Sequence, residues 1–361
     1  MIPLMNLRVA VAATAAEWGP LLLRMHERAH YILGEQVETF ERDFAGATGA
    51  KYAIGVGSGT SAIELCLRVA SVTGQVITSP LTAPFTGLAI LSAGAAPRFA
   101  DIDPDTLLLD PGDVENRITR KTAAILPVHL YGQLCDLPRF ARLKLPLIQD
   151  ACQAHGARYG GIPLTQYSPY AAYSFYPTKN LGCLGDGGAV TTNSRRVADR
   201  VRLLRDGGRA ANHVSKAAGV NSRLDELQAC YLSAFLPHLA EWNIRRAHIA
   251  ALYDDAFAGC DAVRPVRRGP HSVNHLYVIR VRHRQKLIRF LAGAGIGCGV
   301  HYPVPLHLHP AFAGCGARRG DLPHAERAAH EVLSLPMWPH LSGSEAMQVA
   351  EKVRRFFANS C

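Results

Sequence analysis

Ser174-Phe-Tyr-Pro-Thr-Lys179-Asn-Leu-Gly182 closes an apolar run with a lysine, and Asp150-Ala-Cys-Gln153 begins 29 residues before that lysine. Both charges stand where strands should end. Asp150 follows the apolar stretch Leu145-Pro-Leu-Ile-Gln149. Taken singly, Lys179 reads as a surface lysine and Asp150 as a turn or helix-cap residue. Their flanks argue otherwise. Tyr173, Phe175 and Tyr176 precede the lysine, and Gly182-Cys-Leu-Gly-Asp-Gly-Gly188 follows it. We read that glycine run as backbone passing close to a bulky ligand. A lysine desolvated there has a lowered pKa and is nucleophilic at neutral pH.

Outward from this stretch, helical and extended patterns alternate. Residues 35–47 carry Val37, Phe40 and Phe44 at helical spacing, and Gly55-Val-Gly-Ser-Gly-Thr60 opens a second helix with Ala62, Ile63, Leu65, Cys66 and Val69 inward. Val76-Ile-Thr78, Ala123-Ala-Ile-Leu-Pro-Val128, residues 145–149, residues 171–175 and Gly188-Ala-Val-Thr-Thr192 read as strands. That alternation predicts an α/β fold with a largely parallel sheet covered on both faces. An amphipathic helix over 237–257 follows, then a strand over 274–281, a helix over 285–292 and a terminal helix over 345–357. The change of pattern places a domain boundary near residue 236. A large domain of residues 1–236 and a smaller α/β domain of residues 237–361 are expected.

Composition agrees. A chain of 361 residues with 48% hydrophobic and 19% charged residues buries a sizeable core, and its length favours two domains. No apolar run reaches membrane-spanning length, and the start lacks the charged-then-apolar order of a secretory signal. Nine cysteines without CxxC spacing read as free thiols in a reducing cytoplasm, and no metal site is expected. The net charge of +10 is dispersed, with aspartates between the arginines of residues 195–209. It reads as a solvated surface or as a basic rim for anionic small molecules, not as a nucleic-acid face.

The Lys179 and Asp150 pair suits pyridoxal phosphate. Such chemistry needs an amine to hold the aldehyde as a Schiff base and a carboxylate to keep the pyridine nitrogen protonated. Gln153, on the same turn as Asp150, could reach the ring hydroxyl. Gly57-Ser58-Gly59-Thr60 before a helix leaves backbone N–H groups open for a phosphate, although a plain Ser or Thr cap reads the same way.

Taken together, these motifs resemble the DegT/DnrJ/EryC1/StrS family of sugar aminotransferases, within the fold-type I pyridoxal-phosphate enzymes. The match runs over nearly the whole chain. It is carried by Phe40-Glu41, Phe44-Ala45, Gly49-Ala-Lys-Tyr-Ala-Ile54 and Ser58-Gly-Thr60, then by Asp150-Ala-Cys-Gln-Ala-His-Gly156 and the Ser174 to Gly182 stretch. Gly185-Asp-Gly-Gly188, Gly219-Val-Asn221-Ser-Arg223 and His301-Tyr-Pro-Val-Pro-Leu-His307 extend it. The resemblance implies a mostly parallel seven-stranded sheet and a smaller C-terminal domain. It implies that Lys179 carries the cofactor, that Asp150 pairs with the pyridinium and Gln153 with the ring hydroxyl, and that Gly59, Thr60 and Ser174 hold the phosphate. Asn221 would reach the phosphate of the partner subunit in a homodimer with shared sites. His301 and Tyr302 would lie by the sugar or the amino donor.

The chain departs from the family at Leu81-Thr-Ala-Pro-Phe85. Many members place an aromatic over the cofactor ring directly after that threonine, and Ala83 cannot stack. We expect Phe85 to take the role from a distorted helix start, because Pro84 biases Ala83 away from helix. Otherwise Phe85 is core.

The implied reaction moves an amine from an amino acid, L-glutamate, to a nucleotide-linked keto sugar, with pyridoxamine phosphate as the intermediate form. Pro127-Val-His-Leu-Tyr-Gly132 resembles members that aminate C3 of keto-deoxysugars. A 4-keto sugar or a cyclitol remains an alternative substrate, and a cofactor-binding regulatory protein an alternative function. Related dehydratases carry His where this chain has Lys179.

Overall fold

A computed structural model describes residues 1–209 and 214–358. Strands β1 (Tyr52–Val56), β2 (Gln75–Thr78), β3 (Ala96–Phe99), β4 (Thr122–Leu126), β5 (Gln149–Asp150), β6 (Ala171–Ser174) and β7 (Gly188–Thr192) form its main sheet. β2 pairs in parallel with β3 and β4, and β5 in parallel with β6. Parallel bridges from Ile125 to Leu147 and from Val128 to Asp150 join β4 to β5. β7 runs antiparallel to both β6 and β1. The order is therefore β3-β2-β4-β5-β6-β7-β1, with β7 alone reversed. This is the mostly parallel seven-stranded sheet that the resemblance implies.

Helices cover both faces of the sheet, so its strands are buried on both sides, and Ile54, Ile77, Ile125 and Val190 are fully enclosed. Two of these strands lack a clear strand signal in the sequence. β1 runs straight into the glycine loop, and β3 contains Pro97. A proline lacks the N–H a central strand needs, but β3 pairs only with β2 and stands at the edge, where that loss is tolerated.

A second apolar cluster gathers Tyr253, Tyr277, Leu333, Trp338 and Val353. It is built on β8 (Arg264–Pro265), β9 (Tyr277–Arg280) and β10 (Val332–Leu335), an antiparallel trio in the order β10-β9-β8. The helices Leu239–Phe257 and Gly343–Ala358 pack on each other beside it. Ile2 joins this cluster, and its backbone pairs with Gly295 and Gly297. The N-terminal strap thus belongs to the C-terminal core. Conversely, Leu306, Phe312 and Ala325 pack into the core of the main sheet.

The helix Pro84–Ser92 starts in an ordinary way, contrary to the distortion expected there. Ala83 is extended at the N-cap (ψ 144°) and Pro84 occupies the first turn. At that position the missing N–H has no helical partner to lose, and the fixed φ of proline is already helical.

Candidate active site

The parallel strands, together with β1, deliver their carboxyl ends to one edge of the sheet, where open α/β folds place their ligands. Gly59 follows β1, Thr82 follows β2, Val128 follows β4, Asp150 ends β5 and Ser174 ends β6. All of these line one cleft of about 640 Å3, which Leu4, Met5, His275, Leu276, His301 and Tyr302 also line.

Lys179 and Asp150 meet in this cleft. Asp150 is buried and sits as an acceptor between two donors. The Thr86 hydroxyl gives it a hydrogen bond at 2.8 Å, and the Cys152 N–H another at 3.2 Å. Thr82 backs Thr86 at 3.0 Å. Lys179 is half-buried, held in a turn by its N–H to the Tyr176 carbonyl at 2.9 Å. Burial lowers its pKa, and the facing Asp150 carboxylate partly opposes the shift. The amine is thereby shifted toward its unprotonated, nucleophilic form.

The phosphate-like cradle lies at the start of the helix Gly59–Val69. Ser58 caps it by accepting from the Ser61 N–H, which leaves the Gly59 and Thr60 N–H groups without helical partners. Only glycine fits at 59, since a Cβ there would stand 2.6 Å from Ser174 Cβ and 2.8 Å from Cys152 Sγ. Thr60 and Ser174 border the same space. These residues fit pyridoxal phosphate: open N–H donors for its phosphate, a buried carboxylate for its ring nitrogen and an amine for its aldehyde.

Gln153 has its orientation set. Its Oε1 accepts from the Tyr131 N–H at 2.6 Å, so Nε2 is the free end, and it reaches Tyr302 Oη at 3.3 Å. His301 and Tyr302 line the cleft. Burial brings the His301 pKa down to about 4 and pushes the Tyr302 phenol up to about 12. Both are neutral at physiological pH. Phe85 is 58% exposed and lines the cleft, so it is not a core residue.

Asn221 is not in the cleft of its own chain. It lies exposed in a neighbouring crevice with Gly57, Ser58, Ser61 and Asp186, on the outer side of the glycine loop. Two glycines of the run after Lys179 are also required by the chain itself, while Asp186 of that run lines the cleft. A Cβ on Gly182 would meet the Pro177 carbonyl at 2.5 Å, and one on Gly188 the Ser58 carbonyl at 2.4 Å. The glycines let the chain pack on itself. Among the described residues Lys179 is the only lysine or arginine that lines this chain's cleft, so they form no basic rim there. Arginines of the helix Arg195–Arg205 and the turn after it pair instead with Asp199 and Asp206.

Sequence reasoning did not single out Thr86, Tyr131, His275 or the strap residues Leu4 and Met5. All but Tyr131 line the cleft, and Tyr131 supports it from behind. His275 is buried, its Nδ1 3.1 Å from Asn180 Oδ1, and burial holds its pKa well below the usual value. Only long-range contacts bring these residues in. Among the described residues no group of three or more His, Cys, Asp or Glu side chains is placed to hold a metal ion, and no helix is long and apolar enough to cross a membrane.

The sequence profile of the DegT/DnrJ/EryC1/StrS aminotransferase family matches residues 17–354. A protein of Geobacillus stearothermophilus named "Pleiotropic regulatory protein" is 41% identical, over 99% of this chain and 98% of its own. The dTDP-3-amino-3,4,6-trideoxy-alpha-D-glucose transaminase of Streptomyces venezuelae is 40% identical, over 98% of this chain and 96% of its own. The crystal structure of S. venezuelae DesV in complex with a ketimine intermediate superposes with a TM-score of 0.95 at 40% identity, covering 98% of each chain. The chain therefore belongs to the DegT/DnrJ/EryC1/StrS aminotransferase family and is a pyridoxal-phosphate-dependent aminotransferase.

Proposed function

We propose that this enzyme transfers an amino group from L-glutamate to C3 of a nucleotide-linked 3-keto-6-deoxyhexose in amino-sugar biosynthesis. One observation carries the reading. A half-buried lysine of lowered pKa faces a buried carboxylate across a cleft that opens beside unpaired helix N–H groups. The relative named as a 3-amino sugar transaminase and the Val128-His-Leu-Tyr-Gly132 stretch support the position of amination.

Pyridoxal phosphate, when bound, supplies the electron sink that stabilises a carbanion. The chain's own groups do the rest. Asp150 holds the negative charge that keeps the ring nitrogen protonated. Gly59, Thr60 and Ser174 would hold the phosphate, and Gln153 would address the ring hydroxyl through Nε2. Lys179 would hold the cofactor through its amine. Its Nζ, when free, would act as the base that takes the proton from the amino acid's α-carbon. Phe85 would cover the ring, and His301 and Tyr302 would form the wall toward the sugar.

We place the sites in a homodimer, with Asn221 completing the partner's phosphate site. Its exposure supports this, as does the exposed apolar Ile32 in the same crevice. We also keep the division into residues 1–236 and 237–361, which the second core supports, and a cytoplasmic location, which the free thiols support.

The relative named as a regulatory protein favours a second reading, a cofactor-binding regulator. Retention of Lys179, Asp150 and the glycine loop supports the enzyme. The test is a screen of nucleotide-linked 3-keto, 4-keto and cyclitol ketones against the pyridoxamine form, read by return of the aldehyde absorbance. Return with dTDP-3-keto-6-deoxyglucose is expected. Response to none of them, or only to a 4-keto sugar or a cyclitol, would overturn the assignment.

A further inference from the structure

His301 and Ser334 are brought together by an antiparallel bridge between Gly299 and Ser334. The Ser334 N–H donates to the Gly299 carbonyl at 2.8 Å, and the Gly299 N–H returns a bond at 3.1 Å. The Ser334 side chain is fully buried, and among the described residues its Oγ has one partner, His301 Nδ1 at 2.8 Å.

That single contact decides a tautomer. A serine hydroxyl carries one proton, which needs an acceptor when buried. If Nδ1 carried the imidazole proton, it would donate to Oγ and leave the serine O–H without an acceptor. If the serine donates to Nδ1, no group is stranded. Nδ1 is then bare, and the neutral ring carries its hydrogen on Nε2. The rest of the geometry agrees. A Cβ at Gly299 would stand 2.9 Å from His301 Cε1 and 3.6 Å from Nδ1, so that edge of the ring rests on the bridge. Nε2 makes no hydrogen bond among the described residues, and the ring lines the cleft with Lys179. The backbone is held as well, since the Tyr131 hydroxyl donates to the His301 carbonyl.

We propose that Ser334 is a positioning residue that fixes His301 as an N–H donor aimed into the cleft, to meet an oxygen acceptor on the substrate. Such an acceptor is a carbonyl or hydroxyl oxygen of the keto sugar, or a carboxylate oxygen of the amino donor. The identity of the substrates rests on the reading above; the tautomer does not.

The experiment uses holoenzyme labelled with 15N-histidine, with the His301 signal identified by its loss in His301→Asn. Wild type should show the Nε2–H form alone. Ser334→Ala should show a mixture of tautomers, and Ser334→Thr should restore the single form. The two half-reactions are then measured separately, with L-glutamate and with dTDP-3-keto-6-deoxyglucose. Ser334→Ala should raise the KM of one of them about tenfold with the cofactor absorbance unchanged, and Ser334→Thr should recover it. The half-reaction affected tells which substrate supplies the oxygen. An Nδ1–H ring in wild type would overturn the proposal, and that measurement stands even if the alanine variant fails to fold or no sugar is turned over. Unchanged tautomer and KM in Ser334→Ala would overturn it too.

Discussion

Replacing Asp150 with asparagine removes a charge and almost nothing else. The carboxylate accepts from the Cys152 N–H and the Thr86 hydroxyl. An asparagine at 150 can still accept from Cys152 through Oδ1. Its Nδ2 would donate to Thr86 Oγ, whose own proton can turn toward Thr82, 3.0 Å away. The pocket should keep its shape and still bind the cofactor. The lost negative charge is another matter. An opposite charge at close range shifts a pKa by about 1–3 units, or about 1.4–4 kcal/mol. Taken as lost stabilisation of the protonated ring nitrogen, this slows carbanion formation by about 10- to 1000-fold. Both half-reactions should suffer alike, because both pass through that electron sink. Stopped-flow absorbance, with glutamate in one direction and a keto sugar in the other, separates the rates from cofactor loss. Wild-type rates in a variant that retains its cofactor would refute the role given to Asp150.

Phe85→Ala should weaken cofactor retention by about 0.5–1.5 kcal/mol, roughly 2- to 12-fold in Kd, without removing the covalent link; unchanged affinity on titrating the apoprotein would reduce Phe85 to a bystander. Stability should fall as the pH drops. Burial holds the His129 pKa at about 4 and the His155 pKa at about 3. Both lie below the unfolded value of about 6.5, so the unfolded chain binds more protons, and each ring removes up to about 1.4 kcal/mol per pH unit between about pH 6.5 and its folded value. Denaturant midpoints at about pH 7 and about pH 5 check this, and a higher midpoint at the lower pH would contradict it. Asn221→Ala should weaken phosphate-end binding of the cofactor while the protein sediments as a dimer. A fully active monomer would rule out the shared site.

The site was legible in the sequence where chemistry and local motif coincide. Lys179, Asp150, Gln153 and Gly59 sit in short signatures: Asp150 ends β5, Gly59 starts a helix, and Gln153 and Lys179 lie in the turns that follow β5 and β6; the structure brings them to one cleft. The parallel sheet was legible because its strands are short apolar runs between helices. β3 was hidden by Pro97, and β1 by its run into the glycine loop. The supports of the site had no local signal. Thr86 reaches Asp150 across 64 residues, and the Tyr131 hydroxyl reaches His301 across 170. Of the glycines after Lys179, Gly182 and Gly188 pack on the chain's own carbonyls, which asks for the same residue as close approach to a ligand.

The chemistry depends first on Lys179. Borohydride reduction of the holoenzyme, followed by proteolysis and mass mapping, should find the phosphopyridoxyl group on the peptide containing Lys179 and nowhere else, and Lys179→Ala should take up none. The group on another lysine, such as Lys51 or Lys121, with Lys179 unlabelled, would contradict the account.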